Sequence, residues 1–413
     1  MDKFEAKSIC VLGRQPQLGL AELESLYGAE HIRPLDGAAL LDIAAEDINF
    51  KRLGGTIKVA RILAVIDSTK WSDLAKYLID RVPPYVEPMP EGKFTLGLSI
   101  YNPSVPVKQI GAALLEIKKL VRQSGRPVRI VPNKTAVLNS ATVLHNKLTH
   151  KGAWELLFIK DGTKTLLAQT LFVQDIEAYA ARDQARPARD SRVGMLPPKL
   201  AQIIINLAVG KIEGLGARGE KLENSTLDPK PSSLLLLDPF CGTGVILQEA
   251  LLMGYSVYGS DIDPRMVEYT KKNLQWLIDK KPSIEGKVTV GAADATSYRW
   301  PGFSVVASEV FLGRPLNSLP PPDALKQIVS DVNLITKKFL KNLAPQLRSG
   351  RNVCLAVPVW RQPNGELINL PVIDQLTDMG YTYLELKHVR REELIYFRED
   401  QVVARHLLRL TKV

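Results

Sequence analysis

The run Asp-Pro-Phe-Cys-Gly-Thr-Gly at residues 238–244 constrains this chain more than any other. Ahead of it, residues 234–237 form a short apolar run that reads as a strand buried on both faces. Behind it, Val-Ile-Leu-Gln-Glu-Ala-Leu-Leu-Met carries apolar residues at helical spacing and ends at Gly254. A carboxylate and two glycines therefore sit at a strand-to-helix turn. There the helix N-terminus offers free N–H groups, and the glycines let a ligand lie against bare backbone. A second strand, Val-Tyr-Gly-Ser at 257–260, runs into Asp261. An acid at the tip of the second strand of a doubly wound sheet is placed to accept hydrogen bonds from ribose hydroxyls. Together the two turns describe a nucleoside-binding crevice.

The nucleoside is not expected to be a dinucleotide or a triphosphate. The turn lacks the third glycine of G-x-G-x-x-G, and no G-x-x-x-x-G-K-[ST] occurs. Asp238 would repel a pyrophosphate but suits a ligand carrying an ammonium group. The run resembles the first motif of S-adenosylmethionine-dependent methyltransferases, with Asp261 matching their ribose-binding acid. The resemblance implies S-adenosylmethionine as cofactor, held by Asp238, Phe240, Gly242, Gly244, Asp261 and Ile262. It adds Asp294, at the end of a third strand, on the adenine amine. Cys241, inside the turn, reads as a small packing residue and not as a nucleophile.

Length and charge set the frame for such a site. A chain of 413 residues suits two or three domains. No apolar run approaches the roughly 20 residues of a membrane span, and the N-terminus lacks the apolar core of a signal peptide. A cytoplasmic protein is expected. Cys10, Cys241 and Cys354 stand far apart, and no cysteine or histidine spacing supports a metal or a disulfide framework. Of the net charge of +10, residues 101–200 carry +9, from 16 Lys/Arg against 7 acids. A polyanion is the natural partner of such a segment. Lys118, Lys119 and Arg122 share one face of a helix expected over 109–122, opposite the apolar stripe of Ile110, Leu114, Ile117 and Val121.

The chain divides into an N-terminal α+β region, residues 1–178, that reads as two small units. A connector over 179–200 follows, rich in arginine and proline, expected to be irregular and partly extended. Pro198 is well placed to open a helix. Residues 211–233 read as a mobile polar loop. Residues 201–413 form an α/β domain, with strands at 234–237, 256–260, 287–290, 304–307 and 352–358 alternating with helices at 245–253, 264–278 and 323–344. Two last strands, 381–389 and 402–410, form a closing antiparallel pair. Arg182, Arg186 and Arg189 in the connector are candidates for RNA phosphates or the cofactor pocket, with salt bridges to Asp183 and Asp190 as the alternative.

Methylating a base amine needs an acceptor that hydrogen-bonds the amine and a flat side chain that holds the base in line, because the amine lone pair is delocalised into the ring. Both belong at the end of the fourth strand, where Glu309 and Phe311 stand. Four stretches extend the resemblance: Val-Leu-Gly-Arg at 11–14 with Leu-Ala-Glu-Leu at 20–23; Arg-Pro-Ala-Arg at 186–189 with Leu-Pro-Pro-Lys-Leu-Ala at 196–201; the 238–244 turn; and Gly-Ser-Asp-Ile-Asp at 259–263 with Asn273 and Leu274. In these the chain is similar to the archaeal and eukaryotic family that methylates tRNA guanine-10 on N2, in which a THUMP RNA-binding region precedes the methyltransferase. The resemblance implies a Rossmann-like methyltransferase sheet and tRNA as partner, bound through residues 50–175; an accessory subunit is compatible with it. The family carries Asp-Pro-Pro-Tyr-Gly where this chain reads Glu-Val-Phe-Leu-Gly at 309–313. The acid and the glycine are kept, the prolines and tyrosine are not, and Phe311 is the candidate stacking ring. A DNA adenine or ribosomal RNA methyltransferase, and a non-catalytic RNA-binding protein, are the alternative readings.

Overall fold

A computed structural model of the chain describes residues 4–90, 92–101, 104–190, 196–211, 234–316, 318–399 and 401–413. Its first half comprises β1 (Ser8–Leu12), α1 (Pro16–Tyr27), β2 (Ile32–Leu35), β3 (Ala38–Leu41), β4 (Thr56–Ile66), α2 (Trp71–Val86), β5 (Phe94–Tyr101), α3 (Val107–Gln123), β6 (Val128–Ile130), α4 (Ser140–His145), β7 (Ala153–Asp161) and β8 (Lys164–Val173). All eight strands join one sheet in the order β2-β3-β1-β4-β8-β7-β5-β6. The two small units expected from sequence thus share a sheet. The eleven-residue β4 joins them, pairing with β1 at one end and with β8 along most of its length. Helices α2 and α3 cover one face of the sheet. Helix α2 runs through Pro83 and Pro84, because Leu74, Leu78, Val82 and Val86 form one buried stripe. On α3, Lys119 and Arg122 are exposed and Lys118 is half-buried.

The connector departs from its expected irregular form, since α5 (Ile176–Gln184) occupies its start. No α5 side chain is fully buried. The helix is held by Asp175, which accepts the Ala178 N–H at 2.9 Å, and by the bond from Arg182 to Glu249. Such a helix leaves no apolar period to read. Residues 191–195 of the connector, and residues 212–233, expected as a mobile loop, lie outside the described residues. Between these stretches α6 (Pro198–Val209) begins at the proline that predicts it.

The second half alternates strand and helix: β9 (Leu235–Asp238), α7 (Val245–Leu252), β10 (Ser256–Asp261), α8 (Pro264–Lys280), β11 (Val288–Ala292), β12 (Val305–Glu309), α9 (Pro322–Leu343) and β13 (Asn352–Arg361), then β14 (Leu367–Ile368), β15 (Tyr381–Tyr383), β16 (Ile395–Tyr396) and β17 (Val403–Lys412). The main order is β11-β10-β9-β12-β13-β17-β15. The first five strands are parallel, and β17 runs antiparallel to both its neighbours. This is a doubly wound α/β sheet with the expected closing antiparallel pair. Both faces are covered: Leu236, Val305 and Cys354 enter one core with α6, α7 and α8, while Leu237, Val306 and Leu355 enter another with Phe339 and Leu340 of α9. Strand order reverses between β9 and β12, which opens a crevice at their C-terminal ends.

The two halves meet backbone to backbone. A Cβ on Gly54 would lie only 2.0 Å from the Lys199 carbonyl oxygen of α6, and within the first half one on Gly55 would lie 2.4 Å from the Gly19 Cα. Buried Glu22 of α1 accepts the Gly54 and Gly55 N–H groups at 2.9 and 2.8 Å and the Asn206 amide of α6 at 2.7 Å. Glu24 accepts the N–H groups of Lys387 and His388. Burial pushes the Glu22 carboxyl up to about 7.

Candidate functional site

The turn between β9 and α7 takes its shape from glycine and from its neighbours. Gly242 and Gly244 adopt positive φ values of 51° and 85°. A Cβ on Gly244 would also press on Thr270 of α8, at 2.9 Å. The Thr270 hydroxyl donates to the Gly242 carbonyl, and the Asn273 amide to those of Thr243 and Ala188. Asn273 thereby ties the connector to the turn, as does Arg186, whose Nη1 donates to the Thr243 hydroxyl at 3.1 Å. Cys241 packs in the turn, 5% exposed, and burial raises its thiol well above the ordinary value. No nucleophilic role follows.

Three strand tips bring acids to one cavity of about 600 Å³. Asp238 ends β9, is 2% exposed, and accepts the Ser308 hydroxyl at 2.6 Å and the Phe240 N–H at 3.3 Å. Burial pushes its carboxyl up to about 7 against those bonds, helped by the charges of Asp261 and Glu309. Asp261 ends β10 and accepts the N–H groups of Gly242 at 2.9 Å and Asp263 at 3.0 Å, so it also braces the turn. Burial raises its carboxyl as well. Asp294 lies beyond β11 and accepts both the N–H and the hydroxyl of Thr296 at 2.8 Å. Ile262, 71% exposed, and Phe240, packed edge-on against Phe339, are on the same wall.

Glu309 ends β12 and Phe311, 43% exposed, follows it at the cavity. One Glu309 oxygen accepts from Arg405 Nε of β17 at 2.9 Å, and Arg405 also reaches Gln401 at 3.1 Å. This partner was absent from the sequence reading: 96 residues separate the pair, and no motif marks Arg405. Ser308 was missed too, although its neighbour Glu309 was singled out. Trp360 of β13 is fully buried.

The basic candidates separate. Arg182 and Arg186, expected at an RNA-facing surface, turn inward. Arg182 pairs with buried Glu249 at 3.0 Å and lies 4.2 Å above the Tyr179 ring. Arg186 is 4% exposed and pairs with Asp183 at 3.3 Å. Asp190 pairs with Arg265 of α8. Arg189 is exposed, as are Lys119 and Arg122 on α3. Among the described residues no three His, Cys, Asp or Glu side chains gather as a metal site, and no helix is long and apolar enough to cross a membrane.

Comparison with known proteins agrees with this geometry. Residues 228–357 match the family model described as UPF0020, RMKL-like, methyltransferase domain. The chain is similar to the tRNA (guanine(10)-N2)-dimethyltransferase of Methanothermobacter thermautotrophicus, 44% identical over 95 residues, which is 22% of each chain. It is also similar to the enzyme of that name from Pyrococcus abyssi, 35% identical over 121 residues, 29% of each chain. The matched stretches thus span less than a third of either relative. The crystal structure of TrmN from Thermus thermophilus has the same fold over its full length: TM-score 0.50, 17% identity, covering 99% of this chain and 100% of that one.

Proposed function

We propose that this chain is an S-adenosylmethionine-dependent RNA methyltransferase whose target is an exocyclic base amine, guanine N2 of tRNA in the first place. The observation that carries the reading is the convergence of Asp238, Asp261 and Glu309, from three strand tips, on one cavity where the strand order reverses. The residues fit the cofactor. A buried carboxylate without a cationic partner suits its ammonium group, and two positive-φ glycines leave the backbone open to it. Asp238 would take the ammonium, Asp261 the ribose hydroxyls and Asp294 the adenine amine, with Ile262 and Phe240 flanking. When bound, the cofactor supplies an electrophilic methyl on sulfonium sulfur. Glu309 would accept an N–H of the target amine, which turns the nitrogen lone pair toward the methyl, and would receive the proton that nitrogen sheds once the new N–C bond forms. Arg405 would hold one Glu309 oxygen and leave the other for the amine. Phe311 would stack on the base. RNA would be drawn by the basic face of α3 and by Arg189, with residues 1–178 as the RNA-binding region, 179–200 as connector and 201–413 as the methyltransferase domain, in a cytoplasmic protein.

The Glu309–Arg405 pair and the loss of the family's prolines favour one second reading, an RNA-binding protein that has kept the pocket without turnover. Labelled methyl transfer to bulk tRNA, ribosomal RNA and DNA separates the two. Label in tRNA guanine is expected. With Glu309→Ala the rate should drop at least tenfold, about one hydrogen bond to the reacting group, with cofactor affinity retained. Cofactor uptake with no label in any acceptor would establish the binder, and label in DNA alone would exclude the RNA assignment.

A further inference from the structure

A second cavity of about 540 Å³ opens between the two halves, toward the C-terminal end of α7, whose N-terminal end lines the first. Helix α7 serves both: Val245 and Ile246 line the first cavity, Glu249, Leu252 and Met253 the second. The N-terminal half contributes Phe50 and Phe172, stacked with centroids 5.8 Å apart and planes 20° from parallel. Glu249 is 0% exposed. Its Oε1 accepts from Arg182 at 3.0 Å and from Gln248 at 3.3 Å, while its Oε2 has no hydrogen-bond partner among the described residues. A buried carboxylate oxygen left bare is costly, and a ligand N–H donor would relieve it. Lys51 and Lys281 stand at the rim, both exposed.

We propose that this cavity binds a nucleotide whose base carries an exocyclic amine. The aromatic pair offers a face for a flat ring, Glu249 Oε2 an acceptor for one amine hydrogen, and Lys51 and Lys281 positive charge for a phosphate. Because Oε1 is already engaged, the site fits a single donor, as on adenine. Any occupant would bear on the first cavity through α7, and through the connector that joins Arg182–Glu249 to Arg186–Thr243. The site does not depend on the methyltransferase reading. The same chemistry reaches it from a free nucleotide or from the end of a single-stranded RNA.

The test is calorimetry on the full chain with adenosine monophosphate, with purine riboside monophosphate (which lacks the amine) and with an adenosine tetranucleotide. One saturable site is expected for adenosine monophosphate, with at least tenfold weaker binding of the amine-free analogue. Tighter uptake of the tetranucleotide assigns the site to an RNA end, and tighter uptake of the mononucleotide to the free form. Glu249→Gln should erase the preference for the amine. Leu252→Trp, which fills the cavity from its wall and leaves Glu249 in place, should abolish binding with the thermal midpoint preserved. No saturable uptake, equal uptake of both monophosphates, or binding indifferent to both substitutions would overturn the proposal.

Discussion

A carboxyl sunk as deeply as that of Asp238 changes what pH does to its pocket. Its value of about 7 leaves it largely protonated in slightly acid solution, and a cationic ligand binds the ionised form. Affinity for S-adenosylmethionine should therefore rise about tenfold per pH unit up to about 7 and then level off, with about one proton released to the buffer per ligand bound below that pH. Titration calorimetry across that range checks this, and a flat profile would mean that Asp238 does not meet the cation. The same residue shows what single positions disclose. Acids that end strands were legible because the apolar run before each one fixes where its side chain emerges. Arg405 was not, since its meaning lies in a partner on another strand. Arg182 and Arg186 could not be settled between RNA and internal partners for a related reason: charge alone does not tell a surface arginine from one that braces a turn.

Among the elements, the doubly wound half was readable nearly strand by strand, because strands covered on both faces are continuous apolar runs and each helix repeats its stripe. Helix α5 was hidden because polar bonds hold it. Removing its cap by Asp175→Ala should cost about 1 kcal/mol in denaturant unfolding, with Asp175→Asn close to wild type. Equal stability of both variants would show that α5 is held by Arg182 and Tyr179 alone. The eight-stranded sheet was hidden in another way. Pairing between β4 and its two neighbours is non-local, and no residue announces it.

For the molecule as a whole, the seam around Glu22 makes stability sensitive to acid and base. Its folded value, about 7, stands above the ordinary carboxylate value, so the native state holds this proton more tightly than the unfolded chain does. The contribution is complete below the unfolded value and fades as pH climbs to about 7. Wild type should lose on the order of 2 kcal/mol between about pH 4.5 and 7 through this group, and Glu22→Gln should lose measurably less. Parallel slopes for the two proteins in urea melts would clear Glu22 of the effect. Where Gly54 presses on Lys199, and Glu22 and Glu24 bond Asn206, Lys387 and His388, the two halves are locked together. The protein is in effect a fixed calliper. Acting as proposed, it would select among bulky partners by the span between the point they are gripped and the point they must reach, since jaws so set do not bend to a partner of the wrong reach.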